Sequence, residues 1–184
     1  MAVVGAAAVL VALTLRQPDV PVYMPTAAAP SDVGRRLAGP VLYTIDASES
    51  DAWRYFSFRL GSVVADEGRG WDLAFRRYAI ITGQGGGALD LGERRFDEVR
   101  SVPADGYVAT ERAGDPRNPA IASWYRYGFF SHVLTPKGHV WAVRTADGRY
   151  AKLEMVGYYC PGSRPGCPTF RYVYQGDGTT GVAP

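Results

Sequence analysis

Residues 124–159 read WYRYGFFSHVLTPKGHVWAVRTADGRYAKLEMVGYY, and the second half of this run decides the fold class. Two segments rich in Val, Trp, Tyr and Thr flank Asp147-Gly148. Asp-Gly between such runs is a strong short signal for a two-residue hairpin turn. A turn made of those two residues alone pairs Ala146 with Arg149, Val143 with Lys152 and Trp141 with Glu154. Strand side chains alternate, so Val140, Ala142, Ala151, Leu153 and Met155 then form the core face. Trp141, Val143, Thr145, Tyr150, Lys152 and Glu154 form a half-wet face. A longer turn that takes in Ala146 shifts this pairing.

Working outward, the same strand signals recur. Val41–Asp46 (VLYTID) reads as a first strand ended by the polar turn ASESD. Trp53–Ala65 and Trp71–Thr82 read as two long strands, with Tyr55, Phe56, Phe58, Leu73, Phe75 and Ile80 among their core residues. Gly83–Gly87 (GQGGG) is a loop that lacks the Gly-Lys-Ser/Thr of a phosphate-binding loop. Leu91–Val99 suits a short helical turn, and Phe170–Gln175 another strand. Val102–Ile121 is loop-like, and loops of that length are often functional, so a ligand or partner surface is expected there. The expected class is all-β, with an antiparallel sheet.

Cys160 and Cys167, the only cysteines, are separated by PGSRPG between two predicted strands. No histidine or second cysteine pair lies nearby to complete a zinc site. A hairpin-closing disulfide is the reading, and closing so short a loop stabilises by about 2 kcal/mol on the loop-entropy model. With 184 residues the chain suits one domain plus appendages. Its formal charge of +2 offers no basic face or module for nucleic acid. No G-x-S-x-G elbow or paired carboxylates mark a catalyst, so no enzyme is expected.

The N-terminal residues 1–15 form an uncharged hydrophobic run that suits a helix. At a helical rise it spans roughly 22 Å, short of a full bilayer crossing. It reads as a membrane anchor or a signal segment. Residues 16–40 carry Pro18, Pro21, Pro25, Pro30 and Pro40 and are expected to be an extended, proline-rich linker or stalk. Residues 41–184 are then the β domain.

Three stretches together resemble the HmuY-like haem-binding proteins of bacterial cell envelopes. They are TIDASESDAWRYFSF, WDLAFRRYAIITGQGG and the run 124–159, so the resemblance covers about 41–174. It implies an antiparallel β domain that can hold haem between strand-end loops, with paired His or Met ligands. Where one ligand is expected, near the second long strand, this chain carries Arg76-Arg77, and arginine brings no lone pair to iron. The ligand types present are His132, His139 and Met155, with Met24 in the linker. The family is typically anchored through a cysteine after the leader, which this chain lacks.

Two functions follow as expectations. One is a non-enzymatic accessory subunit, anchored on the periplasmic side of a bacterial membrane in a photosynthetic or respiratory complex. Its partner contacts would be Arg35, Arg36, Arg76, Arg77, Trp124, Tyr125 and Tyr127, residue types enriched at interfaces. The alternative is a haem-binding or haem-relay protein of the cell envelope.

Overall fold

A computed structural model describes residues 19–65, 68 and 70–184. The hydrophobic run 1–15 lies outside them. The described chain folds into antiparallel sheets. One has five strands in the order β1 (Leu37–Thr44), β11 (Arg164–Gln175), β10 (Tyr150–Cys160), β9 (His139–Arg144) and β6 (Gly87–Glu93). A second has four, in the order β3 (Ser62–Val64), β2 (Arg54–Ser57), β4 (Leu73–Arg76) and β5 (Ala79–Thr82). A separate hairpin joins β7 (Tyr125–Tyr127) to β8 (Leu134–Pro136).

The main core lies between the two larger sheets. Phe170 of β11 meets Phe56 and Phe75, each with ring centroids 5.2 Å apart, while Tyr172 meets Phe58 at the same distance. Edge and stacked contacts of this kind add to the burial of large apolar area. The five-stranded sheet is buried on its other face as well. There Val140, Ala142, Tyr150 and Val173 pack under Phe96, Val99 and Val182. Phe96 sits in the 3-10 turn Phe96–Glu98, within the segment expected to turn helically.

The central hairpin differs from the sequence expectation by one residue. Arg144 faces Tyr150, Val143 faces Ala151 and Trp141 faces Leu153. The loop therefore contains Ala146, Asp147 and Gly148. Thr145 explains why: its hydroxyl accepts the Arg149 amide at 2.8 Å and donates to Asp147 at 2.5 Å. Gly148, at φ 75°, closes the three-residue loop in the left-handed region. The slip turns β9 over relative to β10. Trp141 and Val143 thus join Leu153 and Met155 in the main core, and Val140 and Ala142 face the second cluster.

The two stretches expected as single long strands, 53–65 and 71–82, are each a tight hairpin instead. Gly61 and Arg77, both at positive φ, turn the chain where an unbroken strand was expected. The first strand begins at Leu37, before the expected Val41. Residues 19–33 of the proline-rich segment run extended, as expected, and are laid against the domain. Tyr23 donates its amide to Tyr159 (2.8 Å), Thr26 to Thr44 (2.9 Å), Ser31 to Leu60 (2.9 Å) and Val33 to Arg59 (3.0 Å). Cys160 and Cys167 are joined as a disulfide closing the β10–β11 hairpin.

Candidate functional site

The β7–β8 hairpin and the β4–β5 turn adjoin. Arg76 pairs with Ala79, so Arg77 and Tyr78 make a two-residue turn, with Arg77 at φ 51°. The Trp124 indole donates to the Tyr78 carbonyl at 2.8 Å, and the Tyr78 and Tyr125 rings meet edge-on at 5.7 Å. Arg77 is held from below: its amide donates to Ala47 (2.8 Å), its guanidinium to Ser48 (3.2 Å). Burial pushes the neighbouring Tyr158 phenol up to about 12, against the pull of Arg77. Leu134 of β8 is fixed by the hydrogen bond its amide donates to the Tyr159 hydroxyl at 2.9 Å.

On this rigid base stand the most exposed aromatic side chains of the described protein. Tyr127 and Tyr78 are about half exposed, while Phe129 is 76% and Phe130 94% exposed. Tyr127 lies two residues along β7 from Tyr125, so both project from the same face, the one that meets Tyr78. Exposed aromatic rings gathered on one hairpin and the turn it adjoins make this a candidate binding surface. His132, at φ 55°, completes the loop; its amide returns to Gly128 at 2.7 Å. The His132 Nδ1 and the Tyr127 hydroxyl are hydrogen-bonded. When Nδ1 donates to the phenol, Nε2 keeps the lone pair, the arrangement found in metal-bound histidines.

The other sequence candidates are dispersed. Met155 is 1% exposed in the main core, where its sulfur cannot reach a ligand. Met24 is exposed on the proline-rich segment. His139 is engaged elsewhere: its Nδ1 lies 3.0 Å from both Asp90 carboxylate oxygens, and its ring stacks on Trp141. Trp124, expected as a partner contact, is fully buried and serves as the strut under Tyr78. Arg76 is occupied by Asp115 at 2.5 Å and lies over the Trp53 ring at 4.5 Å. Arg35 and Arg36 are exposed near the start of β1, apart from the hairpin. Tyr78, expected in the sheet core, is exposed at the turn instead, and sequence reasoning passed over Phe129 and Phe130. The doubled Phe beside Gly128, an apolar pair at a turn, was the available signal.

The HmuY protein family model matches residues 49–172, from the loop before β2 into β11. This chain belongs to the HmuY family. The apo form of an HmuY analogue from Tannerella forsythia superposes with a TM-score of 0.65 at 20% identity, over 78% of this chain and 99% of that one. A Bacteroides vulgatus protein described as HmuY-like and haem-binding gives 0.65 at 20% identity, over 80% and 97%. The apo form of PinO from Porphyromonas gingivitis gives 0.64 at 17% identity, over 76% and 97%. At such identities the likeness establishes the fold. No curated protein sequence matches the chain.

The family name raises the question of whether these residues suit a haem. On the hairpin side they do, with an imidazole beside three exposed aromatic rings. On the opposite turn, Arg76 and Arg77 remain cations and give iron nothing.

Proposed function

We propose that this HmuY family member is a haem-binding protein of the bacterial cell envelope, with His132 as its single protein ligand. The observation that carries the proposal is the pairing of His132 with Tyr127 at the exposed Phe129–Phe130 loop, on the hairpin whose Tyr125 meets Tyr78. The porphyrin supplies the iron to be coordinated and a broad apolar plane. Phe129, Phe130 and Tyr127 would pack against that plane, and Tyr127 would hold the imidazole in place. Within the hairpin 125–136 His132 is the one His, Met or Cys, so the iron would take a single ligand from it. The envelope location is supported by the family and by a Bacteroides fragilis protein of this fold described as a lipoprotein.

The accessory-subunit reading gains no support from the fold or the family, and neither points to a photosynthetic or respiratory host. Titrating haem into the protein tests the proposal. A saturable 1:1 Soret titration is expected, lost in His132→Ala and weakened about tenfold or more in Tyr127→Phe. An unchanged spectrum in His132→Ala sinks it.

A further inference from the structure

The outer face of the four-stranded sheet holds a concavity apart from the β7–β8 hairpin. Tyr55 and Ile81 line its floor, on either side of Ala74 in the strand register. Trp53 and Trp71 make its walls, and Gln84 and Arg112 approach from the loops. Arg112 belongs to the 102–121 segment in which the sequence led us to expect a ligand surface. This hollow encloses about 660 Å³ and adjoins another of about 360 Å³; Trp71 and Ala146 line both. The smaller one is mixed, lined by Ser57, Arg59, Asp72 and Asp147 together with Trp71 and Tyr174. Together they form a trough with Trp71 between its lobes.

Its chemistry is mixed in a telling way. The Tyr55 and Trp71 rings meet at 5.0 Å, tilted by 51°, so the trough has an aromatic floor broken into two planes. Arg112 lies 6.0 Å from the Trp71 ring centre and gives one N–H to the Thr82 carbonyl at 2.8 Å. It joins no ion pair among the described residues, unlike Arg76 beside it. An acyl chain would strand these polar groups, and a small anion would leave the rings unused. A pyranose uses both: its C–H face lies on an aromatic ring, and its hydroxyls need donors and acceptors around the rim. Gln84 and Asp147 stand exposed there to supply them. Asp72, whose carboxyl burial pushes up to about 7, can both donate and accept near neutral pH.

We propose that this trough binds an acidic oligosaccharide, with sugar rings on Tyr55 and Trp71 and a carboxylate paired to Arg112. The guanidinium fork suits a carboxylate in bidentate contact. The proposal goes beyond haem binding and shares none of its residues.

Trigalacturonate titrated into the full chain, read by tryptophan fluorescence and calorimetry, tests it. Trp124 and Trp141 are buried, so a fluorescence change reports on Trp53 and Trp71. Saturable binding is expected, with neutral cellotriose weaker by about tenfold. Arg112→Gln and Gln84→Ala each weaken trigalacturonate binding about tenfold while thermal unfolding is unchanged, because both side chains are exposed. Absence of saturable binding by the unmodified chain overturns the proposal, and so does unaltered affinity in both variants. An equal response to tetraglutamate overturns the saccharide assignment.

Discussion

Asp72 follows Trp71 in the sequence and accepts the Phe58 amide at 2.7 Å. Burial, the largest influence, lifts its carboxyl to about 7 against that bond; Asp147 adds to the lift and Arg59 opposes it. A carboxyl whose folded value stands above its ordinary 3.8 favours the fold when protonated. Its contribution is complete below about pH 4 and is lost as pH rises through about 7. We expect Asp72→Asn, which keeps the acceptor oxygen, to gain about 1–2 kcal/mol over the native chain at pH 8 and little at pH 4. Urea unfolding at the two pH values checks this; an equal difference at both removes Asp72 as the cause. Lys152 presents the reverse case. It was expected on a half-wet face, yet it is 1% exposed, its amine donating to the Phe96 and Val99 carbonyls at 2.9 and 2.7 Å. Desolvation lowers its pKa, and the Phe96 ring, 4.5 Å away, receives the cation. Lys152→Met preserves the stem but strands the Val99 carbonyl and leaves the Phe96 carbonyl only its long bond from the Val99 amide (3.4 Å), at an expected cost of about 2 kcal/mol in unfolding free energy.

At the scale of elements, alternation in the run 124–159 made both strands of the central hairpin legible, because Val, Trp and Tyr at that density suit a pleated surface. Register was not legible. It depended on one hydroxyl, Thr145, recruiting Ala146 into the turn. The faces were hard to assign for a further reason: the five-stranded sheet is buried on both sides, so hydrophobicity does not report which way β9 points. The candidate site was half legible. His132 and the aromatic segment could be read, whereas the juxtaposition with Tyr78 depends on the Trp124 strut, which only folding reveals. Because Phe129 and Phe130 face solvent, Phe129→Ser with Phe130→Ser should alter stability by no more than about 0.5 kcal/mol. Haem retention should fall by about tenfold or more, since the lost area is apolar contact to the ligand. Equal haem affinity in the double variant would place the porphyrin elsewhere.

For the molecule as a whole, the proline-rich segment matters more than its composition suggests. Proline density announced an extended chain, but composition does not say what such a chain lies against. Gly157 does. A Cβ there would stand 2.2 Å from the Tyr23 ring, so the ring occupies space that a side chain would fill. Gly157→Ala should therefore lift residues 22–26 off the domain while leaving the cores intact. The expected readout is faster amide exchange at Tyr23 and Thr26, and new proteolytic cleavage in that segment, with the melting temperature of the remainder little changed. Unaltered exchange would mean that Tyr23 simply rotates aside.

The Thr26 contacts carry one more consequence. Thr26 donates to the Thr44 carbonyl and its hydroxyl accepts the Thr44 amide at 3.0 Å, along the outer side of β1. At the opposite end of the same sheet, Ala88 of β6 exchanges two backbone bonds with Val108, at 3.0 and 2.8 Å. Both outermost strands of the largest sheet thus have part of their hydrogen-bonding row already satisfied from within the chain. A bare row is a template on which a second copy can grow by strand addition. Those two short patches act as negative controls on self-association, and the copy whose segment has been lifted at Gly157 is the one expected to form intermolecular β-structure first.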